Sequence, residues 1–218
     1  METINPRHAE MARKVIRDYS FERTEDYFSF VSLICTDIER FLGGVEGKKI
    51  LDIGCGASKS AYKGIRYEPH NSRFLAYAGA DVTGIDAYES IEEPFNHLVA
   101  DLTRTKLTDL FKDKESFDVA ISAFFFDSPT KYKKLRSLHR HREEKEDNYG
   151  FDRRICSEVH QILRKNGLFF LTLQDVVLKD SGKKQLRGIL DDVGFIELEK
   201  MPDVKDSRYK RFLAIYKK

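Results

Sequence analysis

Residues 49–56 read KILDIGCG, and residues 79–86 read GADVTGID. Each is a short apolar run that stops on a carboxylate, Asp52 in the first and Asp86 in the second. The first then turns through Gly54 and Gly56. A strand inside a parallel sheet is covered on both faces, so it reads as a continuous apolar run rather than an alternating one. Its carboxyl end opens on the crevice where open α/β sheets bind ligands, and there a charged side chain meets solvent or a bound polar group. Gly54 and Gly56 permit a tight turn and a close approach of ligand to backbone. A carboxylate in the position of Asp86 can accept both hydroxyls of a ribose, through charge-assisted hydrogen bonds about twice as strong as neutral ones. A third run, HLVAD at 97–101, ends on Asp101, placed to face an adenine amino group. Each acid alone has a plainer use, capping the turn that follows it. Three successive strands ending on acids favour a common ligand.

Outward from these runs, the strand-like segments KKILDIG, DVTGID, FNHLVAD, FDVAISA, GLFFLTL, GFIELEK and RFLAIYK follow one another. Helical patterns at RFLAYAGA, TDLFKD, RRICSEVHQILRKNG and GKKQLRGILDDVG lie between most of them. This alternation predicts a parallel sheet with right-handed crossovers. A polar loop alone separates the last two strands, which are expected to pair antiparallel. Upstream, Tyr27, Phe30, Val31, Ile34, Ile38, Phe41 and Leu42 recur mostly in steps of three and four. They mark a helix that Thr24 starts and Gly43-Gly44 ends, with a shorter helix over about 7–17 before it. The expected organisation is a helical appendage over 1–46, packed on the core or capping a substrate pocket, and a domain over 47–218. Two connections, 57–70 and 124–148, exceed what a simple crossover needs, and both begin just past a strand's carboxyl end.

The 218 residues are 41% hydrophobic and 12% aromatic, enough for a substantial core and unlike a disordered chain. With 38 basic against 36 acidic residues the formal charge is +2, so nucleic-acid binding would have to rest on a local patch. One stretch qualifies: Lys131, Lys133, Lys134, Arg136, Arg140, Arg142 and Lys145, set against Glu143 and Glu144. Its plain reading is a solvated surface. The sharper one is a site for an anionic acceptor, a phosphorylated or carboxylated small molecule or an RNA backbone. Cys35, Cys55 and Cys156 are far apart with no C-x-x-C pair, so neither a metal site nor a disulfide framework is expected, and a reducing cytoplasm fits. No apolar run approaches the roughly 18 residues of a membrane span, and the first residues carry no apolar signal region. Candidate general bases are Asp127, which closely follows the fourth strand, and His139 and His141, whose imidazoles titrate near about pH 6.5 when unperturbed. His160 sits beside apolar residues of a helical pattern and is expected to be structural.

The segments ILDIGCG, VTGID, VADLT and FDVAISA, in this order, resemble the successive motifs of class I (Rossmann-like) S-adenosylmethionine-dependent methyltransferases. The resemblance covers about residues 47–218. It implies a three-layer α/β sandwich with a mostly parallel seven-stranded sheet whose last strand is antiparallel. It also implies S-adenosylmethionine as cofactor and S-adenosylhomocysteine as product. On this resemblance Asp52, Gly54, Cys55 and Gly56 surround the methionine part, and Asp86 with Ala87 holds the ribose. Asp101 and Leu102 meet the adenine, and Ser122 and Ala123 line the pocket near the sulfonium. The resemblance does not name the acceptor; the basic stretch points to an anionic small molecule, with RNA as the other class. The chain departs from the pattern at Ser58, where the family often has a third glycine, and in the insertion that delays the next helix. SAFFFDSP also differs from the Asn/Asp-Pro-Pro-aromatic motif of amino-methylating nucleic-acid enzymes. Two other readings compete. A nicotinamide-binding domain uses G-x-G-x-x-G, but its third position here is Lys59, and Asp52 would repel a pyrophosphate. A non-catalytic, cofactor-binding scaffold or regulatory subunit is the second, since no motif shows catalysis directly; methyl transfer proceeds largely by positioning.

Overall fold

The structure, a computed structural model, describes residues 6–19, 25–57, 61–62, 65–66, 68–123, 148–174, 180–200 and 211–218. Seven strands form one sheet: β1 (Lys49–Ile53), β4 (Asp81–Asp86), β5 (Asn96–Val99), β6 (Phe117–Ala123), β7 (Leu163–Gln174), β8 (Ile196–Lys200) and β9 (Arg211–Lys217). Their order is β5-β4-β1-β6-β7-β9-β8. The pairs β1/β4 and β6/β7 are parallel, while β9 runs antiparallel to both of its neighbours, β7 and β8. The expected mixed, seven-stranded sheet with an antiparallel last strand is therefore present. That strand is wedged inside the sheet, and β8 forms the edge.

The chain divides into two compact units, one ending at Leu98 and the other beginning at Val99. The first holds α1 (Pro6–Tyr19), α2 (Glu25–Leu42) and α3 (His70–Tyr77) with β1 and β4. Val31, Ile34, Cys35 and Ile38 of α2 are fully buried, and the helix stops where Gly43 takes φ 77°. The proposed cap Thr24 lies outside the described residues. Helix α3 begins at His70, three residues before the pattern that predicted it. The insertion preceding it contains a short antiparallel pair, β2 (Ala61–Tyr62) and β3 (Ile65–Arg66), that no sequence pattern announced.

The second unit packs α5 (Asn148–Ile162) and α6 (Asp180–Val193) around β6, β7, β9 and β8, with one turn of helix, α4 (Leu107–Leu110), after β5. Its core includes Val119, Ile121, Phe151, Ile155, Val159, Phe169, Phe170, Leu190 and Ile215. The expected helix RRICSEVHQILRKNG is shorter than its pattern: α5 ends at Ile162, and β7 begins at once. Asn166 takes φ 66°, and the β6/β7 register jumps from Phe117↔Leu163 to Val119↔Leu168. The chain thus turns within Arg164–Gly167 instead of continuing as helix. No described helix is long and apolar enough to cross a membrane.

One glycine on β4 sets how closely the chain packs behind the first turn. A Cβ on Gly84 would lie 2.7 Å from Cε2 of Phe95 and 2.8 Å from the Cys55 sulfur, closer than such atoms approach. Gly84→Ala should lower the unfolding free energy by about 1–3 kcal/mol, the usual cost of overpacking a core. Urea titration reads this directly, and a wild-type midpoint would show that the contact relaxes freely.

Candidate functional site

The turn after β1 is stitched to the end of β4. Gly54 and Gly56 sit at φ 69° and 91°, in the left-handed region that favours glycine. The N–H groups of Gly54 and Cys55 both donate to the Ile85 carbonyl, at 2.9 and 3.0 Å. The Gly56 N–H donates to Oδ2 of Asp86 at 3.2 Å, and the Tyr88 N–H to Oδ1 at 3.0 Å. Two further donors reach the Gly56 carbonyl: Nε2–H of His97 at 3.4 Å and the buried Cys55 thiol at 3.1 Å. The structure therefore brings together Asp52, Gly54, Cys55, Gly56, Asp86 and Ala87, the first-unit residues expected at a ligand site.

Asp52 lies behind this turn and is fully buried. Ser72 of α3 donates its hydroxyl to Oδ2 at 2.7 Å, while Oδ1 has no hydrogen-bond partner. The neighbouring Asn71, also on α3 and buried, has an Oδ1 in the same condition. Sequence reasoning missed Ser72 and Asn71 because the insertion separates them from the turn and hides their register against β1. It missed His97 because a single histidine in a short strand carries no distinguishing signal.

The expected residues of the second unit have their own arrangement. Asp101 lies two residues beyond β5, and its Oδ1 accepts the Thr103 N–H at 3.1 Å and the Thr103 hydroxyl at 2.7 Å. It thus caps the turn that follows it. Arg154 of α5 donates to the Leu102 carbonyl at 2.9 Å, and Glu158 accepts the Leu107 N–H at 2.7 Å. An Arg154–Glu158 ion pair at 3.2 Å joins these two anchors. Ser122 is buried and Ala123 half-buried at the end of β6. His160 packs edge-on against Phe195, ring centroids 5.0 Å apart, as a structural residue would. Asp127, His139, His141, Ser58 and the basic stretch 131–145 lie outside the described residues.

No protein-family model and no curated protein sequence matches the chain. Solved structures do. A TehB-like SAM-dependent methyltransferase from Corynebacterium glutamicum superposes with a TM-score of 0.57 at 18% identity, covering 98% of this chain and 100% of that one. The 1,6-didemethyltoxoflavin N1-methyltransferase of Burkholderia thailandensis, solved with 1,6-didemethyltoxoflavin and S-adenosylhomocysteine bound, gives 0.54 at 13% identity, covering 100% and 92%. The magnesium protoporphyrin IX methyltransferase of Synechocystis, solved with S-adenosylhomocysteine, gives 0.55 at 15%, covering 99% and 96%. The fold is that of the S-adenosylmethionine-dependent methyltransferases.

Within this methyltransferase fold the first unit concentrates negative charge where water is scarce. Burial raises the Asp52 carboxyl to about 7; the Ser72 hydrogen bond opposes the shift and repulsion from Asp86 adds to it. Asp86 is also raised by burial, against the lowering effect of the Tyr88 and Gly56 N–H groups. A carboxyl with a raised folded pKa binds its proton more tightly folded than unfolded. Stability linked to Asp52 is therefore complete below its ordinary 3.8 and is lost as pH rises through about 7. His70 acts oppositely: burial lowers it from 6.5 to about 4, so its linked stability is complete above 6.5 and is lost as pH falls through about 4. Comparing wild type with Asp52→Asn isolates the carboxyl. The wild type should lose stability relative to the variant between about pH 4 and 7, whereas a pH-independent difference in denaturant unfolding would contradict the buried carboxyl described.

Proposed function

We propose that the chain is an S-adenosylmethionine-dependent methyltransferase acting on an anionic small molecule. The observation that carries this reading is the Asp86 carboxylate, held at the joint of β1 and β4 by backbone N–H groups on each of its oxygens. A carboxylate has about four acceptor sites, so acceptor capacity for a ribose hydroxyl remains beyond the Gly56, Ala87 and Tyr88 N–H groups. The residues behind the turn suit the other end of such a cofactor. Asp52 and Asn71 each bury an acceptor oxygen without a donor, and an ammonium group brings three N–H donors. The backbone of Gly54 and Gly56, turned through positive φ, suits close approach of the chain between these ends.

Bound there, the cofactor would supply an electrophilic methyl group to an oxygen, nitrogen or carbon nucleophile of the acceptor, with S-adenosylhomocysteine as the leaving product. The chain's own part is positioning: Asp86 and Ala87 at the ribose, Asp52 and the glycine turn with Cys55 at the amino-acid end. Asp101 and Leu102 are assigned to the adenine, and Ser122 and Ala123 to the vicinity of the methyl group. Asp127, His139 and His141 are assigned to the acceptor's proton. The anionic character of the acceptor rests on the basic stretch 131–145. The small-molecule class is supported by the 1,6-didemethyltoxoflavin bound to the Burkholderia neighbour.

Calorimetry with S-adenosylmethionine, S-adenosylhomocysteine and NAD separates this reading from a dinucleotide site and from a fold that binds nothing. Asp86→Ala should weaken S-adenosylhomocysteine roughly tenfold or more, as expected for lost hydrogen bonds to a charged acceptor. Unchanged affinity in a folded variant would remove the ribose assignment. Gly56→Val, which places a branched side chain where the ligand is to pass, should abolish measurable binding; normal affinity would move the close approach elsewhere.

A further inference from the structure

Behind the loop that follows Asp86 lies an ion-pair cluster that the cofactor reading does not use. Arg73, in the first turn of α3, is 2% exposed. Its Nε and Nη2 donate to Oε2 and Oε1 of Glu93, both at 2.7 Å, in a two-pronged pair. Its Nη1 donates to Glu68 at 2.6 Å and lies 3.4 Å from Nδ1 of His70. The Glu93 side chain is as buried as the arginine, and Ser90 donates its hydroxyl to Glu93 Oε1. Beside it, Glu92 takes φ 57°, a left-handed conformation uncommon for a residue with a side chain. Such conformations persist where surrounding structure over-determines them. Here the doubly bonded neighbour Glu93 supplies that constraint.

We infer that Arg73 and Glu93 are positioning residues for the ribose site: they hold the 87–93 loop so that the Tyr88 N–H meets Asp86. The inference rests on the assignment of Asp86 to the ribose. The path is short and continuous. Arg73 fixes Glu93, Glu93 and Ser90 fix the course of the loop, and the loop presents the Tyr88 N–H to Oδ1 of Asp86. The carboxylate's orientation, and with it the direction of its remaining acceptor sites, then depends on a guanidinium bonded to Glu93 and Glu68. Ser72, the residue before Arg73, holds Asp52, so one turn of α3 steadies the acids at the ends of both β1 and β4. The planar, two-pronged geometry explains why arginine is needed, since lysine is a point donor.

The test compares S-adenosylhomocysteine with its 2′-deoxyribose analogue by calorimetry on the full chain. Wild type should bind the deoxy compound roughly tenfold or more weakly, the scale of hydrogen bonds to a charged acceptor. Arg73→Lys should shrink that ratio to within about twofold of unity. Because removing one member of a buried pair can unfold a chain, the double variant Arg73→Met with Glu93→Leu replaces both charges by apolar groups of similar size. It too should lose the ratio while melting cooperatively. A merely structural role would alter melting and leave the ratio intact. If wild type binds the two ligands equally, the ribose assignment itself fails. If wild type discriminates and the folded variants discriminate equally, the assignment stands and the clamp is overturned.

Discussion

Three consecutive backbone N–H groups, those of Gly54, Cys55 and Gly56, turn toward the end of a neighbouring strand. Two converge on the carbonyl of Ile85 and the third reaches the carboxylate of Asp86. An extended chain cannot do this, because its successive N–H groups alternate in direction. The positive φ of the two glycines reverses the chain within three residues and makes the convergence possible. Much of the first unit follows from it. Gly84 lacks a side chain so that Cys55 can sit beside it, and Asp86 is drawn toward the turn instead of outward.

The same constraint governs the charge. Two carboxylates, Asp52 and Asp86, stand close enough to raise one of them, in surroundings that disfavour any ion. Each is compensated differently. Asp86 receives fixed backbone dipoles, whereas Asp52 receives one hydroxyl and keeps an oxygen without a donor. A buried acceptor left in this way costs free energy. The native state therefore carries a deficit at Asp52 that ordinary core avoids.

The sheet was legible because its strands announce themselves. DVTGID, FDVAISA and RFLAIYK coincide with β4, β6 and β9 to the residue, since apolar runs bounded by turns leave little choice of ends. The glycine turn and Asp86 were legible for the same reason, lying at ends that the runs define. Helix ends were less so. LRKNG continues the pattern of α5, yet the chain leaves the helix at Ile162, because pairing Leu168–Thr172 with β6 requires the turn beforehand. The partners of Asp52 and Glu93 were illegible, as Ser72 and Arg73 reach their acids 20 residues away in sequence, through a helix register that periodicity does not give. Asp101 shows the converse: a residue read from its strand-end position uses one oxygen to cap its own turn.

Cys55 gives the turn a chemical signature. Its thiol is buried, donates to the next carbonyl, and is pushed well above its ordinary pKa first by burial and then by the charges of Asp52, Asp86 and Glu93. Alkylating reagents attack the thiolate, so a folded chain offers them nothing at this position until the turn parts from β4. Cys35 in α2 and Cys156 in α5 are buried as well. The rate at which an alkylating reagent marks each sulfur therefore measures how often that part of the chain opens. With three thiols in three places, a peptide map of the labelled protein resolves the breathing of the glycine turn from that of either helix.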